Sequence, residues 1–294
     1  MTDTPRPWYA ALWMIGAILS FTTMAVAGRE AGPTFTTFEI MTYRSAIGVT
    51  IVLVVAASMR RLSDIRASRL GLHGLRNVAH FTGQNLWFYA VTAIPLAQVF
   101  ALEFTSPLWV IGLAALFLGE RLTPAKIVAG ICGFFGVLIV LQPGTAELST
   151  GHLTAALAAI GFAATAIFTK ALTRTEAITN ILFWLTLMQL GLGLLSCLLF
   201  VDGMTWPQGA DWAPLILISV AGLAAHYCIT TALVLAPASV VMPLDFVRLP
   251  AVALIGMIYY DEPLAWGVFA GAALIFGANY FNILDTQRRA AAVQ

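Results

Sequence analysis

The chain has 294 residues, of which 60% are hydrophobic and only 10% charged, and its mean hydropathy is +0.88. Soluble globular domains carry about 25% charged residues, so most of this surface must face lipid rather than water. A net charge of +1 argues against nucleic acid as a partner, and at about 20 apolar residues per membrane crossing the length accommodates about ten spans, with no large soluble domain.

Apolar windows predict spans over 8–27, 36–58, 70–91, 95–118, 126–141, 152–173, 178–201, 213–235, 237–260 and 266–284. Period-2 alternation is absent, which leaves helices as the means of pairing every backbone group inside lipid. In the first span Ala25-Val26-Ala27 has the small-residue pattern of a cleavage site. The apolar stretch from Trp8 is too long for a signal-peptide core, however, and Arg6 is its only positive flank, so an uncleaved helix is expected. Helix-stop chemistry follows at Gly32-Pro33, Pro95, Gln142-Pro143-Gly144, Ala236-Pro237 and Glu262-Pro263. The three cysteines, Cys132, Cys197 and Cys228, lie within apolar stretches without CxxC spacing and are read as small buried hydrophobes, not metal ligands.

The distribution of Lys and Arg sets an expected orientation. With both termini cytoplasmic, twelve of the fifteen fall on the inner side, only Arg29 falls outside, and Arg44 and Arg248 lie within spans. The localisation expected is therefore multi-pass in a bacterial-type inner membrane.

A shift of 142 positions lays Pro95 on Pro237, Val99 on Val241, Leu102 on Leu244, Phe104 on Phe246, Val110 on Val252, Glu120 on Glu262 and Leu122 on Leu264, with Glu103 over Asp245. Matches that include proline and two acidic positions point to a duplication, with boundaries at 1–143 and 144–294. Each half has five spans, an odd number, so the copies enter the membrane in opposite senses. The fold expected is all-α integral membrane, ten transmembrane helices as two inverted five-helix repeats. Inverted halves place a solute site near mid-bilayer and expose it alternately to the two sides.

The residues Tyr43-Arg44, Phe88-Tyr89-Ala90 through Ile94-Pro95-Leu96-Ala97, Gly119-Glu120-Arg121-Leu122-Thr123 and the echo Asp261-Glu262-Pro263-Leu264 resemble the drug/metabolite transporter superfamily in its EamA branch, over essentially the full length. The second half departs from the pattern with Pro243, Arg248 and Pro250 in one span. The resemblance implies a ten-helix bundle with cytoplasmic termini. Within the superfamily the chain looks like the YddG-type exporters of aromatic and other neutral amino acids.

Ionisable residues within spans are costly and face a bundle interior or a wet cavity, which singles out Arg44, His80, Glu103, His226, Asp245 and Arg248. At 1.5 Å per residue Glu103 lies about 12 Å below Pro95, and Arg44 sits at a comparable depth, so the two are expected to pair structurally, as a gate, or with Glu103 as a proton-coupling acid. Asp245 mirrors that depth from the other side. Arg248 at i+3 either neutralises it or offers, with it, a fork for a zwitterionic substrate. Arg76, His80, Gln84 and Phe88 form a stripe on the third helix that is expected to line the central cavity, with Gln84 corresponding to His226 in the repeat. Trp87 and Trp184 are candidate aromatic walls, while Trp8, Trp206, Trp212 and Trp266 sit near span ends as interfacial anchors.

The substrate site expected is thus His80, Gln84, Trp87, Trp184, His226, Asp245 and Arg248, with Arg44 and Glu103 as the ion pair or gate. No cofactor or metal is implied, and the partners are a small solute and the bilayer, with proton coupling and a monomer or dimer both open. The function expected is secondary export of small neutral or zwitterionic metabolites by alternating access. The alternatives are a passive channel or facilitator for a nucleobase, vitamin or drug-like cation, or an intramembrane enzyme. Neither HExxH, GxSxG, GxGxxG nor a P-loop occurs, so an enzyme is disfavoured and any uphill flux must draw on a gradient.

Overall fold

A computed structural model of the chain describes residues 7–106, 108–110, 112–113, 124–141, 148–172, 175–235, 245, 248–263 and 265–291. These form α1 (Pro7–Ala31), α2 (Thr37–Ser58), α3 (Leu70–Ala93), α4 (Leu96–Glu103), α5 (Pro124–Leu141), α6 (Thr150–Leu172), α7 (Ile178–Phe200), α8 (Trp212–Leu235), α9 (Arg248–Tyr260) and α10 (Trp266–Ala291), with single 3-10 turns at Leu62–Asp64 and Gly209–Asp211. No strand occurs among the described residues. Among the described residues five stretches, Trp8–Ala31, Thr37–Ser58, Thr150–Thr169, Ile178–Phe200 and Gly209–Ile229, are long and apolar enough to cross a membrane.

α1 lies along α8, α3 along α6, α2 along α7, α5 along α10, and α4 packs on α9. Exchanging the first five helices for the second five turns this set of pairs into itself. Direction can be read from the closest backbone approaches. On α2 and α7, Thr42 meets Gly193 whereas Gly48 meets Thr186, so residue numbers rise on one helix as they fall on the other. On α5 and α10, Gly136 meets Ile275 whereas Gly271 meets Val140. Equivalent helices of the two halves therefore run antiparallel, and the protein is an all-α integral membrane protein built as two inverted five-helix repeats. Small residues at these crossings let the backbones close without hydrophobic driving force, as membrane helices require.

The outward faces are apolar. Leu12, Leu19, Val54, Phe134, Leu198 and Ile258 are exposed, which in water would be a liability and in lipid is the solvent-matched surface. Trp8 and Trp266 are 84% and 85% exposed, as interfacial anchors should be. α3 differs from the other long helices, because it carries His73, Arg76, Asn77, His80, Gln84 and Asn85, all buried. Its polar groups turn inward, against protein rather than lipid.

Of the fourth span expected over 95–118, residues 107, 111 and 114–118 lie outside the described residues. α4 ends at Glu103, and Phe104-Thr105 form a turn before residue 106 resumes a helical conformation. The Thr105 hydroxyl donates to the Leu102 carbonyl at 2.7 Å and the Ser106 hydroxyl to that of Glu103 at 2.6 Å. Such back-bonding competes with the helical ladder and bends it. The repeat markers Glu120, Leu122, Pro237, Val241, Leu244, Phe246 and Leu264, together with Gly119, Arg121, Thr123, Pro243 and the Gln142-Pro143-Gly144 stop, lie outside the described residues.

Candidate functional site

α3 positions the site. Arg76, His80, Gln84 and Phe88 are 3%, 3%, 2% and 0% exposed, so the four-residue stripe faces the interior along its length. It can sit that deep because α6 comes very close: a Cβ on Gly161 would lie 2.9 Å from the Gly83 Cα. The His80 ring lies edge-on to His226 of α8 at 5.6 Å and against Phe162 of α6 at 6.0 Å, and His226 in turn meets Phe21 of α1 at 5.9 Å. The two expected histidines, one from each half, thus meet in one aromatic layer. Among the described residues neither ring nitrogen of His80 has a hydrogen-bond partner.

A second cluster lies where α4 and α9 cross. One Arg248 amine donates to the Asp245 carboxylate at 2.9 Å and to the Glu103 carboxylate at 3.0 Å. The other Glu103 oxygen accepts the Trp87 indole N–H at 2.8 Å. The guanidinium is boxed by Phe21, Phe100 and Phe104, with ring centres at 4.8, 4.8 and 5.2 Å. The mirrored acids of the repeat therefore converge on one cation. This corrects the expected Arg44–Glu103 pair, since Glu103 pairs with Arg248. The reason is lateral placement: the two acids share the α4–α9 crossing, whereas Arg44 points from α2 toward α3 and α8.

Arg44 donates to the Gln84 side-chain carbonyl and lies flat against Gly222 of α8, where a Cβ would sit 2.7 Å from a guanidinium nitrogen. A larger residue there would require the guanidinium to shift. Among the described residues no carboxylate pairs with Arg44, and its Nε has no partner. Together with Ser45, Gln189 and Ser219 it borders a cavity of about 10 Å³ between α2, α7 and α8.

Trp184 does not join either layer. Its indole N–H donates to the Arg66 carbonyl at 2.8 Å, and the Arg66 N–H is accepted by Asn180 at 3.0 Å. This fastens the α2–α3 connection of the first half to the start of α7 in the second. The opposite end of the bundle carries the same device with the halves exchanged. The Thr205 N–H is accepted by Glu39 at 2.6 Å, and the Thr205 carbonyl accepts the Tyr43 hydroxyl at 2.6 Å, fastening the α7–α8 connection to α2. In both clasps a polar side chain takes the N–H of a loop residue and an aromatic one turn later donates to that residue's carbonyl. At the first clasp Glu176 accepts Ser68 and Asn180. Burial alone would raise its pKa, but these hydrogen bonds and nearby positive charge outweigh it and hold the carboxyl below its ordinary value.

The end that carries residues 32–36, 201–211 and 261–265 has a further latch. Arg29 pairs with Glu262 and donates to the carbonyls of Val91 and Ile94, while Glu262 accepts the Leu96 N–H at 2.9 Å and Tyr260 donates to Glu30 at 2.8 Å. Beside it opens a cleft of about 380 Å³ lined by Phe35, Phe38, Phe88, Tyr89 and Phe200. The sequence reading gave Arg29 as an outer-side charge and Glu262 as a repeat and family marker, and paired neither. The readable signal was their position at span ends that an inverted pairing brings together. Among the described residues no three His, Cys, Asp or Glu side chains are placed to hold a metal ion.

This architecture is shared with known proteins. The EamA-like transporter family profile matches residues 8–142 and 149–284. A riboflavin transporter of Brucella anthropi is 34% identical over 91% of this chain and 96% of its own, and one of Vibrio cholerae is 29% identical over 94% and 93%. An S-adenosylmethionine uptake transporter of Rickettsia felis is 24% identical over 98% and 97%. A crystal structure that is 21% identical, covering 95% of this chain and 98% of its own with a TM-score of 0.64, has the same fold. With two tandem profile matches on two inverted five-helix halves, the chain belongs to the EamA-like transporter family of the drug/metabolite transporter superfamily and is a multi-pass membrane transporter, not an enzyme.

Proposed function

We propose that this protein is a secondary transporter of riboflavin or a closely related planar heteroaromatic metabolite. The observation that carries the reading is the likeness at 34% identity, across nearly the whole of both chains, to a protein named riboflavin transporter. The interior is compatible with such a solute: the His80, His226, Phe21 and Phe162 rings offer flat apolar surface, and Gln84 and Arg44 supply polar groups at its edge. Aromatic and other neutral amino acids, the finer expectation from the sequence, fit less well. The fork that would have gripped a zwitterion, Asp245 with Arg248, is already closed on itself and on Glu103.

Transport proceeds by alternating access between residues 1–143 and 144–294, with both termini in the cytoplasm of a bacterial-type inner membrane. The Arg29–Glu262 latch joins α1 to the α9–α10 connection on the outer face and must break for that face to open. A riboflavin-auxotrophic bacterium without its own uptake system, given this gene, should grow on micromolar riboflavin. Reconstituted vesicles should show saturable riboflavin flux stimulated by riboflavin on the opposite side. Flux of labelled tryptophan with no response to riboflavin would overturn the flavin reading, and linear flux without counterflow would make the protein a channel. Comparing flux with and without an imposed pH gradient decides proton coupling. His80→Ala should lower riboflavin flux at unchanged protein level.

A further inference from the structure

We propose that Arg44 and Gln189 form a subsite for one carbonyl oxygen of the solute, and that in a flavin this is an oxygen of the pyrimidinedione ring. The inference rests on the flavin reading above. Arg44 is 6% exposed and Gln189 1%; both border the cavity of about 10 Å³ between α2, α7 and α8. Among the described residues, Arg44 Nε and Gln189 Nε2 are buried N–H donors without acceptors. A buried donor left unpaired is destabilising, and a buried cation without a carboxylate more so, and a solute that supplies the acceptor relieves both.

The surroundings say which acceptor. Of the neighbouring hydroxyls, Ser219 donates to the Leu215 carbonyl at 2.7 Å and Thr186 to that of Leu182 at 3.0 Å. Arg44 brings donors and no acceptor, and Gln189 Nε2 adds a further N–H, so the subsite favours an atom that accepts. Its volume is that of about one water molecule, which suits a single oxygen and excludes a bulkier anion such as phosphate. Gln84, whose carbonyl is held by Arg44, lies one helical turn from His80. In this proposal the ring that bears the oxygen extends from Arg44 toward the side of Gln84 and His80. Arg76 makes the contrast: it is equally buried, but its donors are taken by Thr169 and Asn77.

The test compares riboflavin with 2-thioriboflavin and 4-thioriboflavin, in which a poor sulfur acceptor replaces each ring carbonyl oxygen in turn. In vesicles, wild-type protein should prefer riboflavin over one of the two by about tenfold or more in kcat/KM. Arg44→Gln should lower riboflavin kcat/KM by about 10- to 100-fold and shrink that preference to within about twofold. Arg44→Lys, which keeps charge but loses the planar fork, should fall between. Gln189→Leu removes one donor at similar volume and should cost about fivefold and weaken the same preference; it carries the test if Arg44→Gln does not fold. Riboflavin flux in wild type with no discrimination among the three, or with discrimination unchanged in both variants, overturns the subsite alone. Absence of riboflavin flux in wild type overturns the flavin reading and the subsite together.

Discussion

Arg44 and Arg248 are the same side chain at nearly the same burial, 6% and 3% exposed, in two environments. Arg248 is held by two carboxylates and three aromatic faces, one of the carboxylates and all of those faces coming from the opposite half of the chain. Arg44 has one amide carbonyl and a glycine. The first is a closed knot where α4 and α9 cross, and its charge is balanced before any solute arrives. The second keeps an uncompensated charge beside a cavity. Burial of a cation is thus not one phenomenon. Whether its partners are already present separates a joint from a binding group.

Breaking the knot should have the largest effect. Arg248→Met leaves Glu103 and Asp245 buried without a cation and should destabilise the protein by about 3–5 kcal/mol, seen as a lowered melting temperature in detergent. Adding Glu103→Gln and Asp245→Asn to that variant should restore most of the loss, because no charge is then stranded. Glu103→Gln alone leaves Asp245 on Arg248 and should cost about 1–3 kcal/mol. Arg29→Ala should act on conformation more than on stability: a single cysteine placed at Thr92 should be labelled several-fold faster by an impermeant thiol reagent. Trp184→Phe should lose about 1 kcal/mol with its hydrogen bond to Arg66 and leave riboflavin KM unchanged, which places Trp184 with the joints. The smallest effect concerns pH. Glu176 has a lowered pKa, so its contribution is present above the ordinary carboxylate value of 4.5 and is lost as pH falls below it. Glu176→Gln should flatten the melting temperature of the protein across that acid range.

Depth was legible from the sequence and azimuth was not. Counting residues at 1.5 Å each placed Glu103 and Asp245 at mirrored depths, and the four-residue spacing of Arg76, His80, Gln84 and Phe88 identified one helix face. These quantities are local to a helix. Which arginine faces Glu103 depends on which helices are neighbours, and that is set by small residues at crossings whose spacing resembles ordinary apolar sequence. The duplication held the missing information. Once equivalent helices pack antiparallel, as α2 with α7 and α5 with α10, mirrored positions on α4 and α9 must come together at the axis. The break after Glu103 was hidden for another reason: Thr105 and Ser106 are unremarkable residues until their hydroxyls are seen on the carbonyls one turn back.

The two clasps, Tyr43 and Glu39 on Thr205 and Trp184 and Asn180 on Arg66, are a single contact used twice. A surface that meets its own copy in this reciprocal way is what a two-fold interface between identical subunits produces. The duplicated chain therefore has, within one polypeptide, the contact geometry that an antiparallel pair of identical five-helix units would have. Glu39 and Asn180 differ in charge, yet each presents an oxygen to a main-chain N–H, and losing that acceptor on either side would undo one of the two seams that hold the halves in register.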